Sequence, residues 1–473
     1  MIVSLILYLI TVLIISYFAS RKLEDREDFL IAGRKLGPLT TAFSSEATSM
    51  SGWLLLGFPG QVFKAGISAA WVGLGCIFGD YFNWKMVANR VRIISRNKEL
   101  ITISELITGG QVSILAKIIR ITTSVSIIFF MIIYLWAQFI ATGKALISVN
   151  EFNLNYQDAV LIGSSIIILY TFFGGFISVV WTDVFQALVI VSFLTITPVV
   201  AIVEITTSSG FGEFLNTPAI INANHSIGDL FGHATGLGIF ILLLSSFGIG
   251  AAYTGQPQLV QRYIAASSSG TIDIARKVGV TWVTLSEIGV TILALTANMI
   301  LDNRNFDPEN VIFEVCSKLM PGWTLGIVYA AIMAAIMSSA DSFLINAVCS
   351  IQQDIPMKKS LRESLMFSRL LVLIIGLAAV YAAWNTDIKD NNLTVFKIVN
   401  IAWGGLSISF AIPLLYSIVV EKVDLINVLT VIISGLTLMF IWHYTGLSNR
   451  VYEVFPCLTV QSIICIFVHK MRR

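Results

Sequence analysis

Long apolar segments separated by short polar loops make up most of this chain. A helix that crosses a lipid bilayer needs about 20 predominantly apolar residues. By that rule the pattern predicts about thirteen transmembrane helices. They are expected at residues 2–19, 38–63, 69–92, 118–147, 158–177, 183–205, 236–264, 277–301, 324–351, 367–385, 395–419, 424–443 and 453–470. Because no polar domain interrupts the pattern, residues 1–473 are interpreted as a single polytopic membrane domain of the all-α class.

The composition agrees with this interpretation, because 56% of the residues are hydrophobic and only 12% are charged. Soluble domains carry about 25% charged residues. Most of the 30 Lys and Arg residues fall in alternate loops. Because basic loops stay in the cytoplasm, the pattern predicts an N-terminus outside and a C-terminus in the cytoplasm. The net charge of +2 gives no reason to expect a nucleic-acid partner, and the expected surroundings are the lipid bilayer.

Two of the predicted helices contain residues that weaken a helix within the membrane. Residues 44–60 read SSEATSMSGWLLLGFPG, and residues 245–257 read SSFGIGAAYTGQP. Both are rich in Ser and Gly, and each contains Pro, which removes a backbone hydrogen bond. One explanation is that small residues allow close packing between helices. The other is that both helices are unwound around bound polar solutes, because an unsatisfied backbone group in hydrocarbon costs several kcal/mol.

The two interrupted segments lie about 200 residues apart, and each opens a group of five predicted helices. An odd number of helices in each group inverts the second group relative to the first. The pattern therefore predicts a five-plus-five inverted-repeat core with two broken helices. Repeat one is expected at about 38–205 and repeat two at about 236–419, with peripheral helices at 2–19 and about 424–470.

Four segments closely resemble the sodium:solute symporter family, and within it the bacterial sodium/proline symporters. These segments read ATSMSGWLLLGFPG, FGGFISVVWTD, YTGQPQLVQRYIA and AAIMSSADS. The resemblance extends from residue 28 to residue 405. It implies an inverted-repeat fold with ten core helices and three peripheral ones, in a bacterial-type inner (plasma) membrane. It also implies solute uptake driven by an inward flux of Na⁺.

AAIMSSADS offers two adjacent hydroxyls, on Ser338 and Ser339. Na⁺ is a hard cation and prefers oxygen ligands, as Ca²⁺ and Mg²⁺ do. An alternative is that both hydroxyls bond back to carbonyls of their own helix. The resemblance implies that these hydroxyls bind Na⁺ together with the carbonyl of Ala335. It also implies two further carbonyl ligands from the first broken helix, those of Ala47 and Met50.

The chain departs from the proline symporters next to the MSGW motif. Those proteins carry Asp immediately before it, where this chain has Ser49, and Glu46 stands three residues earlier. Positions i and i+3 share a helix face, so the carboxylate is interpreted as moved by one turn. Glu46 is therefore a candidate for ion coupling or gating. A purely structural hydrogen-bonding role and proton coupling are the alternatives.

A second sodium site is a further possibility. Some relatives that resemble sialic acid transporters bind another Na⁺ near WTD and SSADS. The matching residues here are Asp183, Asp341 and Ser342, beside Ser338.

The substrate is expected to be a small zwitterion such as proline. Its carboxylate would bind at freed amides and half-helix N-termini, and its cationic end at aromatic rings and freed carbonyls. Single aromatic residues at membrane depth more commonly pack or face lipid, so these candidates depend on the motif match. The candidate residues are Ser51, Gly52, Trp53, Tyr134, Gln138, Tyr253, Gln256 and Pro257. Ile249 stands where proline symporters have Trp, which predicts a wider or less aromatic pocket.

No catalytic motif is present, so the chain is predicted not to be an enzyme. The leading hypothesis is a secondary active transporter that couples inward Na⁺ flux to uptake of proline by alternating access. The alternatives are a sodium-coupled symporter for another small zwitterion or carboxylate, a membrane solute sensor of the same fold, and an ion channel. The pattern makes no prediction about the oligomeric state.

Overall fold

The computed structural model describes residues 2–21, 26–208, 216–220, 225–301, 306–388 and 394–472, and these residues are almost entirely helical. The helices are α1 (Ile2–Ser20), α2 (Arg26–Ile31), α3 (Pro38–Ser49), α4 (Phe58–Ala65), α5 (Trp71–Phe82), α6 (Asn89–Asn97), α7 (Ile103–Ile107), α8 (Ile114–Ile147), α9 (Tyr156–Ser208), α10 (Leu237–Ala251), α11 (Pro257–Ala265), α12 (Ser269–Ile300), α13 (Val311–Leu319), α14 (Leu325–Asp354), α15 (Lys359–Arg362), α16 (Leu365–Trp384), α17 (Val395–Val419), α18 (Leu425–Tyr444) and α19 (Val454–Met471). Short 3₁₀ and π-helical turns join several of them.

All thirteen predicted segments are helical over most of their length. By length and hydropathy, the described residues contain 10 continuous helical segments able to cross a membrane. That number is smaller than thirteen for three reasons. Trp53–Asn97 and Tyr156–Thr207 each include two predicted spans, and the interruption before α11 leaves α10 with only 15 residues. The multi-helix membrane fold is confirmed, and the division into two repeats stays a prediction.

Helix α9 is two antiparallel membrane helices joined at Gly175, whose φ is 58° and ψ is −162°. Its 53 residues would span about 80 Å as one straight helix, far more than a bilayer. The hydroxyl of Tyr170 lies 3.2 Å from the Met337 carbonyl, and Gln186 reaches the same residue through Tyr8. The predicted span boundaries at 177 and 183 are displaced, because the chain reverses at Gly175, within the predicted short connection FFGGFISVVWTD, and residues 178–182 are helical.

Helix α14 forms the centre of the protein. In its most apolar 18-residue window 94% of the residues are buried, compared with 22% in α19 and 28% in α1. Side chains from α3, α8 and α9 pack around it. A helix buried on all sides can carry polar side chains only if they find partners inside the protein. The polar residues of SSADS therefore face other helices rather than lipid.

Both broken helices are confirmed. Helix α3 ends at Ser49, Met50 is non-helical at φ −94° and ψ 59°, and a π-helical turn from Trp53 to Gly57 leads into α4. Helix α10 ends at Ala251, and Gly255 adopts a φ of +92° before α11 begins at Pro257. Pro at the first helical position needs no amide partner, so it is well placed to restart a helix.

Two ion-pair networks tie the ends of α8 to its neighbours. Near its start, Arg120 lies 3.1 Å from Asp354 and 3.0 Å from Glu105. Near its end, Lys144 lies 2.6 Å from Glu309, whose carboxylate also accepts amides at the first turn of α17. Arg120 and Lys144 are 24 positions apart in one helix, a rise of about 36 Å, so the networks lie on opposite sides of the membrane core.

We expect Gly175→Ala to destabilise the protein strongly. A β-carbon at this position would lie 2.4 Å from the ring of Phe29, and this backbone conformation is essentially restricted to Gly, at a cost of about 1–3 kcal/mol for other residues. The yield and melting temperature of the purified protein in detergent should both fall. Gly322→Ala is the matched control, because no atom lies within 4 Å of its β-carbon position. Equal melting temperatures for the two variants would contradict the role given to Gly175.

Candidate functional site

The interruption after α3 faces the SSADS segment of α14. The hydroxyl of Ser338 donates to the carbonyl of Ala47 at 2.9 Å, and that of Ser339 donates to the carbonyl of Thr48 at 2.9 Å. Both hydroxyls also lie 3.2 Å from the carbonyl of Ala335. All five residues are fully buried. Three carbonyls and two hydroxyls therefore meet at the break, and we call this group the hydroxyl–carbonyl cluster.

Four of the five predicted sodium ligands belong to this cluster, namely Ala47, Ala335, Ser338 and Ser339. The fifth, Met50, is buried at the end of α3, and its amide donates to the Glu46 carbonyl at 3.0 Å. The contacts to Ala335 are the intrahelical bonds that were the alternative interpretation of the two hydroxyls. The structure combines these with bonds to the broken helix. The Thr48 carbonyl is an additional oxygen that sequence reasoning missed, since the spacing did not indicate which carbonyls the break would free.

Asp183, predicted as part of a second sodium site, forms a buried ion pair. Its Oδ2 lies 3.1 Å from Nη2 of Arg262 and accepts a hydrogen bond from Ser44 at 2.6 Å. The same Nη2 lies 2.5 Å from the hydroxyl of Ser342, and the guanidinium stacks 4.9 Å from the ring centre of Phe176. Both charged groups are fully buried. A guanidinium therefore supplies the positive charge beside two of the three predicted residues.

Asp341, the third of these residues, is hydrogen-bonded by a tyrosine of α9 rather than by Arg262. The hydroxyl of Tyr170 donates to its Oδ2 at 2.7 Å, and its Oδ1 has no hydrogen-bond partner among the described residues. The Oδ1 of Asp183 is likewise without a donor in the described part of the chain. The second sodium site at these residues stays a prediction.

Glu46 points away from the hydroxyl–carbonyl cluster. Its Oε1 accepts the indole N–H of Trp84 at 2.9 Å, and its Oε2 lies 3.5 Å from the hydroxyl of Ser49. Gly279 of α12 packs against it so closely that a β-carbon there would lie 2.5 Å from Oε1. Ser49 and Glu46 therefore share a face of α3, as their spacing indicated. That face is directed towards α12 and the π-helical turn Asn83–Ala88 that follows α5.

The residues just after the break contact α8. The hydroxyl of Ser51 lies 3.1 Å from that of Tyr134, and the amide of Gly52 donates to Oε1 of Gln138 at 2.9 Å. The indole N–H of Trp53 donates to the Ser49 carbonyl at 3.3 Å. A backbone amide freed by the break is thus paired with a side-chain oxygen, where an anionic group of a ligand could take its place.

The second break contributes Tyr253 and Gln256, and Trp403 of α17 connects them to the first. The ring of Trp403 packs edge-on against Tyr253, with 5.1 Å between centres, and against Tyr134 at 6.4 Å. Its carbonyl accepts from Nε2 of Gln256 at 2.9 Å, and its indole donates to the carbonyl of Ile249 at 3.1 Å. The sequence predicted a less aromatic pocket because Ile249 replaces a Trp. In the structure, the aromatic ring beside Ile249 comes from Trp403 of α17 instead.

The eight predicted substrate residues accordingly lie on two neighbouring surfaces. Ser51, Gly52 and Trp53 contact α8 or the break itself, whereas Tyr253 and Gln256 contact Trp403, and Pro257 starts α11 in a buried position. Sequence reasoning missed two buried residues here, Arg262 and Trp403. The signal for Arg262 was a charged residue in an otherwise membrane-embedded half-helix, and that for Trp403 was its place in NIAWGG, which the resemblance included without assigning a role.

Comparison with known proteins identifies the family of this chain. Residues 29–435 match the model of the sodium:solute symporter family. A sodium/proline symporter of Escherichia coli (strain K12) is 31% identical over 479 residues, covering 98% of this chain and 91% of that protein. A high-affinity proline transporter of Bacillus subtilis (strain 168) is 30% identical, covering 96% of this chain and 95% of that protein.

Among solved structures, a Na⁺-coupled sialic acid symporter in a substrate-bound outward-open state superposes with a TM-score of 0.76 at 17% identity. The match covers 98% of this chain and 95% of that one. MhsT in complex with L-phenylalanine superposes with a TM-score of 0.54 at 12% identity, covering 84% of this chain and 99% of that one. At these identities the structures support the fold alone. With the family model matched along most of the sequence, the chain belongs to the sodium:solute symporter family.

Proposed function

We propose that this protein couples the inward flux of Na⁺ to the uptake of proline by alternating access, in a bacterial-type plasma membrane. The observation that carries the proposal is the hydroxyl–carbonyl cluster, where Ser338 and Ser339 meet the carbonyls of the broken helix. The names of the relatives in Escherichia coli and Bacillus subtilis support proline as the substrate. The basic loops support an external N-terminus and a cytoplasmic C-terminus.

Na⁺ is transported cargo, and the hydroxyl–carbonyl cluster is its proposed binding site. The oxygens of Ser338, Ser339 and Ala335, with the carbonyls of Ala47 and Met50, are the proposed ligands. A hydroxyl that donates to a carbonyl can rotate its hydrogen away, so that both oxygens then face a cation as acceptors. A set of neutral oxygens binds a monovalent ion without a fixed countercharge, which allows the ion to leave on the other side. The Thr48 carbonyl is close enough to join this set.

The substrate carboxylate is proposed to bind at the freed amide of Gly52, replacing Oε1 of Gln138. A carboxylate accepts an N–H more strongly than a neutral amide oxygen does, because the hydrogen bond is charge-assisted. Tyr134, Tyr253 and Trp403 would then surround the ring and the cationic end of proline. Ser51, Trp53, Gln256 and Pro257 complete the proposed site.

Coupling follows from the short distance between the two sites along the chain. The proposed sodium ligands end at Met50, and the proposed substrate ligands begin at Ser51. A cation that fixes the carbonyls of the break also fixes the amides of the next residues, so bound Na⁺ should raise substrate affinity. By linkage, the substrate must raise the affinity for Na⁺ by the same factor.

The predicted site at Asp183, Asp341 and Ser342 is proposed as an alternative location for a second sodium ion, so it adds no third ion to the protein. Arg262 already neutralises Asp183 and contacts Ser342, so a cation there would have to share its ligands with a guanidinium. Glu46 is proposed to act in ion coupling or gating from the other face of α3.

Uptake into proteoliposomes tests the transport function directly. We expect labelled proline to accumulate when an inward Na⁺ gradient is imposed and to equilibrate without accumulation when choline replaces Na⁺. A panel of other small zwitterions and carboxylates measures specificity in the same assay. Accumulation of another solute in place of proline would reassign the substrate, and saturable binding without uptake would favour a sensor.

Ser338→Ala and Ser339→Ala should each weaken Na⁺ binding. Loss of one ligand to a charged group costs about 1.5–3 kcal/mol, so the Na⁺ concentration for half-maximal uptake should rise by roughly 10-fold or more. Ser409→Ala is the matched control, since the one hydrogen bond that its fully buried hydroxyl makes among the described residues is to the Gly405 carbonyl of its own helix, at 2.7 Å. If all three variants kept the wild-type Na⁺ dependence, the proposed sodium site would be wrong.

Gln138→Glu should raise the KM for proline by about tenfold or more. Its carboxylate would hold the Gly52 amide by a charge-assisted bond and repel the carboxylate of the substrate. Gln138→Leu removes the competing oxygen without adding a charge, so its KM should change much less. Equal KM values for the two variants would argue against a carboxylate site at Gly52.

A further inference from the structure

Helix α3 carries a second polar surface, opposite the one that faces Arg262. Ser44 and Thr48 point to Asp183 and Ser342, whereas Glu46 and its neighbours point towards Trp84 and α12. The first surface contains a buried cation, the guanidinium of Arg262. The second contains buried carboxylates that have no basic partner among the described residues.

Asp80 of α5 is the second acid on this surface. It is buried, and neither of its carboxylate oxygens has a hydrogen-bond donor among the described residues. Asp80 lies four residues before Trp84 in the same continuous helical segment and therefore shares a face with it, and the Trp84 indole donates to Oε1 of Glu46 at 2.9 Å. Asp80 is the tenth residue of α5, so it lies about 15 Å from the start of that helix and within the membrane.

Two neutral side-chain oxygens close to Tyr263, whose ring packs against that of Trp84 with 4.9 Å between centres, also lack partners among the described residues. The side-chain amide nitrogen of Asn83 donates to the hydroxyl of Tyr263 at 2.9 Å. The Oδ1 of Asn83 has no donor in the described part of the protein. The hydroxyl oxygen of Ser45 is also buried and unpaired there, and it approaches the same Tyr263. Both side chains are at least 99% buried. Neither residue is acidic, so these oxygens point to a ligand independently of the carboxylates.

No cation of the described protein balances this group. Within 4 Å of Glu46 and Asp80 there is no Lys, Arg or His among the described residues. The other titratable groups that interact with them are Cys76, Tyr253, Tyr263 and, further along, Glu287. None of these carries a positive charge. A carboxylate left in hydrocarbon without a counterion is very costly, so such groups bind a cation or are protonated.

We propose that Asp80, Asn83, Ser45 and Glu46 form a second Na⁺ site, separate from the hydroxyl–carbonyl cluster. Its ligands are a hard set of carboxylate, amide and hydroxyl oxygens, which suits an alkali-metal cation. The Trp84 indole and the Ser49 hydroxyl stabilise the negative charge that remains on Glu46 when one monovalent ion is bound. Because Glu46 directly precedes Ala47, this ion would contact the same turn of α3 as the ion at the hydroxyl–carbonyl cluster.

The site deepens the proposed function but is tested without any substrate. Binding of ²²Na⁺ to the purified protein in detergent is measured as ions per chain. At a Na⁺ concentration that just saturates the wild type, we expect two ions for the wild type, about one for Asp80→Asn, about one for Ser338→Ala and close to none for the double variant. The ion that Asp80→Asn retains shows that this variant is folded. A failure of Ser338→Ala to lose an ion would reject the hydroxyl–carbonyl site while leaving the Asp80 site intact.

Glu287→Gln is the matched control, because Glu287 is also a buried acid whose oxygens lack donors in the described chain. It packs beside Gly73, seven residues before Asp80 and thus about 10 Å away along α5, so two ions should remain. The proposal would be overturned if Asp80→Asn bound as many ions as the wild type. It would also be overturned if Asp341→Asn alone lost the second ion, since that ion would then lie beside Arg262. A wild type with one ion and a protonated-carboxyl infrared band that Asp80→Asn removes would mean that a proton, rather than Na⁺, neutralises Asp80.

Discussion

The structure depends on the contact between a broken backbone and two serine hydroxyls. Helix α3 stops in the middle of the membrane, where an unpaired carbonyl costs several kcal/mol. The hydroxyls of Ser338 and Ser339 satisfy the Ala47 and Thr48 carbonyls, and they can do so because α14 is buried on all sides. The same oxygens that stabilise the break can accept a cation. Stability and the proposed ion binding therefore use one set of atoms. The oxygens that would bind the ion already lie together, because the serine hydroxyls donate hydrogen bonds to the carbonyls.

Helix α3 separates two groups of buried acids that differ in whether a basic residue compensates their negative charge. On one side, Arg262 pairs with Asp183 and contacts Ser342, so the negative charge there is compensated by the protein itself. On the other side, Glu46 and Asp80 are buried, and no basic residue of the described chain lies within 4 Å of either carboxylate. A fixed guanidinium cannot leave, whereas a bound ion can. Side chains on the two faces of this one helix thus separate a structural charge from the proposed site of a transportable ion, a few residues from the amide proposed to hold the substrate.

Much of the fold was predictable because hydrophobicity in a membrane has a fixed length scale. Each of the thirteen predicted segments is helical, and both interruptions lie where Gly, Ser and Pro interrupt the apolar pattern. The displaced boundaries of the predicted spans at 177 and 183 have a clear cause. A reversal between membrane helices normally needs a polar loop, but Gly175 reverses the chain by its backbone conformation alone, and nothing in the hydropathy of FFGGFISVVWTD distinguishes the two arrangements. The structure has 10 continuous spans among its described residues, against thirteen predicted segments, for a similar reason. Two of the continuous helical segments include two apolar segments each, and one apolar segment is divided by a break.

The sequence by itself determined that the protein is a helical membrane protein, that two helices break, and that SSADS and the MSGW segment carry its polar chemistry. Those features depend on local composition and on motifs that lie together in the chain. Only the tertiary structure decided which groups meet. Arg262 neutralises Asp183 across 79 residues, Trp403 of α17 reaches Tyr253 and the Ile249 carbonyl, and Glu46 turns away from the serines to share its surroundings with Asp80. Such pairings are set by how helices pack against one another, because a charge buried in a membrane protein takes its partner from whichever helix lies next to it.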